Sequence, residues 1–417
     1  MFFKYINDIY NDNRVILKNF TYLQILQFAR LIIPIILIPI LVREVGLEKY
    51  GLIVFAQTLT LYFIMFLDFG FQMSGTKSIA INRENNEKLS EIFTSIFILK
   101  FIIFLISFSI FSLFVVLIPF MKQHYFLFLF SFLFSIQSLL VPVWFFQGLE
   151  KMKYITMIDV SSRLLFLLSI FIFINEPKDY ILVPILRLIC ILILTLYVVY
   201  IVFFKQKLRL KAISFSNLKF HFKESLPFFF SHLSNVVNIR TNTILLGLFS
   251  SMSLVAYYDF VTRVVEAIAS VIGTITKVLY PQISITKNLI KAKMILYLNL
   301  FISLAAYILL CFFSKQIIML IFNDLNFQAH TLFYYLGFLL PLIAIEWTLG
   351  DLYLASFGYA KEYSLSSIYS TIFYLIIVTI LFMFNFITLI SLIFALVARF
   401  LFVSIYRYYY CKKYRLI

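Results

Sequence analysis

Five arginines, Arg30, Arg163, Arg187, Arg240 and Arg263, stand deep inside long apolar stretches of this 417-residue sequence. Lys100, Lys277, Lys315 and Arg399 lie nearer the ends of such stretches. Their acidic counterparts are six: Asp68, Asp159, Asp259, Glu266, Glu346 and Asp351. A central arginine facing lipid costs about 2.5–3.5 kcal/mol on insertion scales, so five cost roughly 15 kcal/mol. They must face protein or a wet cavity instead. Nine cations against six anions leave positive charge unbalanced, and an anionic ligand would complete it. Guanidinium groups suit that task because their planar fork matches phosphate and carboxylate oxygens in pairs.

Two polar stripes sharpen the expectation. Asp259, Arg263, Glu266, Ser270 and Lys277 are offset by 0, 4, 7, 11 and 18 residues, which at 3.6 residues per turn is one narrow helical face. Ser231, Ser234, Asn235, Asn238 and Asn242 form a second stripe, with Arg240 on the opposite side of the same helix. The stripes line something wet or bond to neighbouring helices. A purely structural reading pairs Asp159 with Arg163 at i, i+4, makes Asp259, Arg263 and Glu266 an ion network, and lets Lys100, Lys277 and Lys315 snorkel. The four histidines and three cysteines are scattered, without ligand or disulfide spacing. No Gly-rich phosphate loop, paired-His motif or nucleophile elbow is present, so neither ATP nor a resident cofactor is expected.

The elements that hold these residues follow from composition. The chain is 63% hydrophobic and 13% charged, with a mean hydropathy of +1.00; a soluble domain is about 25% charged. Twelve apolar runs, each long enough for a spanning helix, lie near 20–42, 51–73, 92–119, 125–147, 154–175, 180–204, 225–249, 255–280, 294–322, 331–356, 364–385 and 388–409. The runs are continuous, without period-two alternation, which predicts helices rather than a barrel. The net charge of +16 would point to nucleic acid in a soluble protein. Here it is explained by topology. With both termini cytoplasmic, cytoplasmic segments hold 22 lysines and arginines, counting Arg407 at the end of the last run with the tail, and the opposite loops hold Arg43, Lys49, Lys122 and Lys178. That is the positive-inside pattern, and no nucleic-acid partner is expected. Residues 1–19 lack a cleavage-site pattern, so no cleaved signal peptide is expected.

The basic stretch 205–224 divides the chain into halves, 1–204 and 225–417. A faint echo supports duplication: Gly148-Leu149-Glu150-Lys151 and Gly358-Tyr359-Ala360-Lys361 occupy equivalent turns, each shortly after a lone tryptophan, Trp144 or Trp347. Six helices per half give parallel repeats, with substrate expected between the halves.

Three motifs carry a resemblance. Leu41-Val42-Arg43-Glu44-Val45-Gly46-Leu47-Glu48-Lys49-Tyr50-Gly51 resembles the LG-x-E-x-YG turn of polysaccharide flippases, with Val45 in place of the usual Leu. Leu67-Asp68-Phe69-Gly70 resembles their DFG element. Trp144-Phe145-Phe146-Gln147-Gly148-Leu149-Glu150 is similar to the W-F-x-Q-G-x-E hairpin of O-antigen translocases. The resemblance implies an all-α integral membrane protein of about twelve helices, in two six-helix lobes around a central cavity that works by alternating access. It implies transport of undecaprenyl-diphosphate-linked oligosaccharide from the cytoplasmic to the periplasmic leaflet of a bacterial inner membrane, rather than catalysis. Helices one, two, seven and eight are the family's usual cavity walls. Arg30, Arg240 and Arg263 are then expected to bind the diphosphate, and Asn235, Asn238 and Asn242 the sugar. Asp68, Asp259 and Glu266 are expected in gating or in coupling to protons or sodium. Several members of the family carry an acidic residue near the position of Asn242, and its absence here weakens the transfer of an ion-coupling role to that position. Alternatives are a drug or cation antiporter of the same superfamily, for which the excess of bases is the wrong polarity, and a membrane polymerase or glycosyltransferase, for which the extracytoplasmic loops, under roughly ten residues each, are too small. A flippase for a capsule, teichoic acid or peptidoglycan precursor is a further reading.

Overall fold

The computed structural model describes the backbone of residues 2–322 and 327–417, and side chains at 18, 19, 21–322 and 329–417. All regular structure among these residues is helical, as the continuous apolar runs require. The chain forms two compact units, Met1–Gly46 with Ala56–Leu233, and Leu47–Phe55 with Ser234–Ile417.

The first unit is built from α1 (Phe2–Val45), α2 (Leu47–Asp68), α3 (Phe71–Ile81), α4 (Asn86–Leu117), the short helices α5 (Pro119–Gln123), α6 (Tyr125–Leu133), α7 (Ile136–Leu140) and α8 (Val143–Gly148), then α9 (Met152–Phe173) and α10 (Leu182–Val199). The second is built from α11 (Phe215–Phe249), α12 (Met252–Thr286), α13 (Leu289–Phe322), α14 (Phe327–Gly337), α15 (Leu339–Trp347), α16 (Ala360–Met383) and α17 (Leu389–Lys413). The division cuts α2 and α11, so each contributes residues to both units.

Eleven spans among the described residues are long and apolar enough to cross a membrane. The chain is a multi-pass membrane protein. The twelfth expected span is α11, which has 35 residues. Its length suffices, but His232, Asn235, Asn238, Arg240 and Asn242 dilute its hydropathy below that of the others. Several helices outrun their apolar runs: α4 starts at Asn86, capped by the Asn85 side chain, and α11 starts at Phe215, so part of the basic stretch 205–224 is helical.

The DFG element breaks the second span. Phe69 and Gly70 take left-handed φ values of 38° and 75° between α2 and α3. The Phe69 ring stacks on both Phe222 and Phe229 of α11, at 4.5 and 4.6 Å. A Cβ at Gly70 would stand 2.4 Å from the Ser225 carbonyl oxygen, so the absence of a side chain is what lets α11 close on the break. The Oγ atoms of Ser74 and Ser225, 2.6 Å apart, complete the seam.

The tryptophan echo has a packing counterpart. Trp144 covers Gly75 in the second span, and Trp347 covers Gly273 in the eighth. The glycine echo has a different register from the one expected. Gly358 is left-handed (φ 98°) and closes its helix with a bond from Tyr359 N to Leu354 O of 2.9 Å. In the first half that role falls to Glu150 (φ 57°), with Lys151 N to Phe146 O at 2.9 Å. Gly148 instead permits close approach to Ile79.

Candidate functional site

In the first unit, α1 and α9 pack side by side, pinned by Thr156 Oγ1 donating to Tyr22 O at 2.9 Å. Their contact places Arg30 beside the Asp159–Arg163 pair. Both guanidiniums donate through Nε to the same carboxylate oxygen, Asp159 Oδ2, each at 3.0 Å. Two cations therefore share one anion, while the Arg30 side chain stays 45% exposed. A bond through Nε leaves the terminal nitrogens of the fork as further donors. Arg187 takes another route, lying over the Phe134 ring at 4.1 Å.

Asp68 is differently engaged. Its Oδ1 accepts from Lys100 Nζ at 2.9 Å and Ser138 Oγ at 2.5 Å. Lys100 is buried and also donates to Ser138 O at 2.9 Å. A buried ammonium needs several acceptors, and this one has them. The expected snorkelling of Lys100 does not occur, whereas Lys277 and Lys315 are exposed.

In the second unit, the helix-eight stripe lies on α12. Arg263 Nε donates to Asp259 Oδ2 at 2.7 Å, one turn apart. The buried Tyr50 hydroxyl donates to the same oxygen at 3.1 Å. Tyr50 belongs to the first motif, but nothing in its spacing foretells this contact. The adjacent Gly51 explains its placement, since a Cβ there would lie 1.8 Å from Met252 O. Arg240 of α11 approaches Glu266 only to 3.9 Å, and the Glu266 side chain is 42% exposed. Ser270 Oγ bonds to its own helix at Ala267 O.

The Asn stripe turns away from Arg240, as helical geometry demands. Buried Asn242 accepts from Tyr374 Oη at 2.5 Å and donates to Leu392 O at 3.2 Å and Tyr258 Oη at 3.3 Å. Asn238 donates to Thr371 Oγ1 at 2.8 Å, with its own Oδ1 buried and unpartnered. Asn235 is exposed. Of the three, Asn242 is committed to holding α16 and α17, and Asn235 is the most accessible.

A further polar cluster escaped the sequence. Glu346 and Arg399 form a buried bidentate pair, 3.0 Å on each arm. Arg407, only 2% exposed, donates to Glu346 O at 2.5 Å, Ser366 Oγ at 2.9 Å and Ser367 Oγ at 3.2 Å. Arg407 stands at the very end of the run 388–409 and groups with the cytoplasmic cations by sequence, but it is buried within the final helix. Arg399, placed nearer a span end by the sequence, is paired and buried. Gly350, within the π-helical turns Thr348–Ala355, makes room for the Arg407 guanidinium. The available signal was an in-span acid, Glu346, in the tenth run and two arginines eight residues apart, Arg399 and Arg407, on the final helix.

Among the described residues no group of three or more His, Cys, Asp or Glu side chains could hold a metal ion. Arg30, Arg163, Arg240, Arg263 and Arg399 each lean on a carboxylate. The sequence profile of the family described as polysaccharide biosynthesis protein matches residues 16–287. The chain belongs to that family. Arg30, Asp68, Asp159, Arg240, Asp259, Arg263 and Glu266 of this polysaccharide biosynthesis protein lie within the match, and the Glu346–Arg399–Arg407 cluster lies beyond it. Over 285 residues the chain is 28% identical to an Escherichia coli (strain K12) protein named "Putative O-antigen transporter", covering 68% of each. Its fold is similar to that of the lipid II flippase MurJ in an inward closed conformation, with a TM-score of 0.67, 14% identity and coverage of 95% of this chain and 87% of that one. It is equally similar to an inward-facing multidrug resistance MATE family transporter of the MOP superfamily, with a TM-score of 0.67, 15% identity and coverage of 91% and 93%.

Proposed function

We propose that this polysaccharide biosynthesis protein is a flippase rather than an enzyme. It moves undecaprenyl-diphosphate-linked O-antigen or related oligosaccharide units across the bacterial inner membrane, from the cytoplasmic to the periplasmic leaflet, by alternating access. The halves 1–204 and 225–417 act as its two lobes, and both termini face the cytoplasm. The observation that carries the reading is the pair Arg30 and Arg163 sharing the single carboxylate of Asp159, within membrane spans and accessible. A diphosphate cannot enter hydrocarbon with its charge exposed. Guanidiniums that exchange a resident carboxylate for phosphate oxygens let it pass without either partner being left bare.

Arg30, Arg240 and Arg263 bind the diphosphate in this scheme, with Asn235 and Asn238 toward the sugar. Of the acids expected in coupling, Glu266 suits that role best, because its contact with Arg240 is long and its side chain half-open. Asp68 is held by Lys100 and Ser138, and Asp259 by Arg263 and Tyr50, so they are better suited to holding helices in place. The test is alanine substitution of Arg30, Arg240 and Arg263 in cells that make a surface polysaccharide. Each variant should reach the membrane, lose surface polymer and accumulate unpolymerised lipid-linked units on the cytoplasmic leaflet. Lysine at the same positions should restore transport only in part. Full surface polymer in all three alanine variants rules out the assignment.

A further inference from the structure

The polar turn between α8 and α9 takes no part in the scheme above. Glu150, Lys151 and Lys153 meet the start of the basic stretch there. The chain leaves α10 through π-helical turns over Tyr200–Lys205, closed by Gln206 N bonding to Ile201 O at 2.9 Å. Lys151 Nζ donates to Gln206 Oε1 at 2.5 Å, and Lys205 Nζ lies 5.4 Å from the Tyr154 ring centroid. Two ammonium groups are thus gathered at one corner by fixed backbone.

Like charges so placed repel, and the nearest acid does not relieve them. The left-handed Glu150 directs its carboxylate to Arg83, at 2.8 Å. Lys211 has Glu87 at 3.9 Å, but among the described residues no carboxylate pairs with Lys151, Lys153, Lys205, Lys207 or Arg209. Partial burial lowers the pKa of the Lys151 ammonium from its ordinary value; Tyr154 opposes that shift and the charge of Lys205 adds to it. Beside these cations the outer face of the corner is apolar and open: Tyr200 is 57% and Phe204 70% exposed. An occupant must therefore bring a negative head group and an apolar body. Aromatic side chains at a span end, next to a basic cluster, mark the membrane interface.

We propose that Lys151 and Lys205, with Lys207 and Arg209 following, form a site for the phosphate of an anionic phospholipid, whose chains lie along Tyr200 and Phe204. The site does not depend on the transport reading. It is tested on the full-length protein by native mass spectrometry after equilibration with equimolar phosphatidylglycerol and phosphatidylcholine. The wild type should retain phosphatidylglycerol in preference, and Lys151→Gln and Lys205→Gln should each weaken that preference about fivefold. Lys122→Gln, in the distant helix α5, should leave it unchanged. Raising the salt concentration should erode the wild-type preference, a readout that needs no variant. Retention of the full preference by the double variant, or its insensitivity to salt, overturns the proposal. Displacement of phosphatidylglycerol by an equimolar amount of undecaprenyl diphosphate, or by inorganic phosphate, overturns the assignment to phospholipid.

Discussion

Asp159→Asn separates a cation site from a structural ion network. In the wild type, two guanidiniums converge on Asp159 Oδ2 at 3.0 Å each, so the trio carries a net charge of +1. The amide isostere keeps an acceptor oxygen and raises that charge to +2. For each unit of charge on a diphosphate about 6 Å away, one more unit charge is worth about 3 kcal/mol at an effective dielectric constant of 20. Arg30 is 45% exposed, so screening reduces the gain to about 1 kcal/mol. That is about fivefold in affinity. Reconstituted vesicles with a fluorescent lipid-linked oligosaccharide, read by quencher access to one leaflet, should show an apparent KM about fivefold lower. Turnover should fall as well, because ground-state binding tightens without matching help to the transition. Stability should change by less than about 1 kcal/mol, as expected for partly exposed pairs. A raised KM at an unchanged unfolding midpoint would refute the reasoning, since it would mean that Asp159 holds the arginines in place and the surplus charge does nothing.

Three further outcomes follow from packing. Gly70→Ala places a methyl group 2.4 Å from Ser225 O at a φ of 75°, so it should destabilise by about 2 kcal/mol or more and lower the midpoint of thermal unfolding in detergent; an unchanged midpoint contradicts the tight seam at the DFG break. Glu346→Gln leaves Arg399 buried without its carboxylate and should cost about 3–5 kcal/mol, whereas the Glu346→Leu, Arg399→Met double variant should recover most of that loss in the same unfolding assay. Gly350→Ala sets a methyl group 2.1 Å from Arg407 Nη1 and should expel the guanidinium from its bonds to Ser366 and Ser367, measurable as faster hydrogen exchange in α16 and at the end of α17.

The spans were legible because hydrocarbon demands an unbroken apolar run, and that demand is local. Their ends were less so. Helix α11 starts ten residues before its apolar run, and α4 six before, where amphipathic turns dock on protein and hydropathy falls although hydrogen bonding continues. Pairings one turn apart, Asp159–Arg163 and Asp259–Arg263, follow from helical spacing alone. Arg30–Asp159, 129 residues apart, and Glu346–Arg399, 53 apart, do not, because periodicity within one helix says nothing about which neighbour it meets. The opposed directions of Arg240 and the Asn stripe were readable, but the occupation of Asn242 by Tyr374, Tyr258 and Leu392 was not. The three motifs stood out as patterns before their physics was visible. Tyr50-Gly51 sets a hydroxyl on Asp259, Phe69-Gly70 seats α11, and the hairpin after Trp144 ends in a left-handed cap at Glu150.

The pairing of nearly every in-span arginine with a carboxylate changes what the excess of bases means. Bare guanidiniums in the membrane would cost several kcal/mol each before any ligand arrived, and a site that tolerated them would have to be wet throughout. A resident carboxylate removes that cost at rest and sets the threshold a ligand must exceed. Permanent pairs and exchangeable ones then differ by geometry. Glu346–Arg399 is bidentate, buried and backed by Arg407, so no anion can displace it without stranding charge. Arg30 gives Asp159 one nitrogen and shares it with Arg163, and Arg240 meets Glu266 only at 3.9 Å. In the proposed scheme these are the contacts a diphosphate would displace, because it offers more oxygens than the acid it would replace. Under that proposal, the count of buried cations narrows the neighbourhood of the anion site, and the looseness of each pair decides which cations would belong to it.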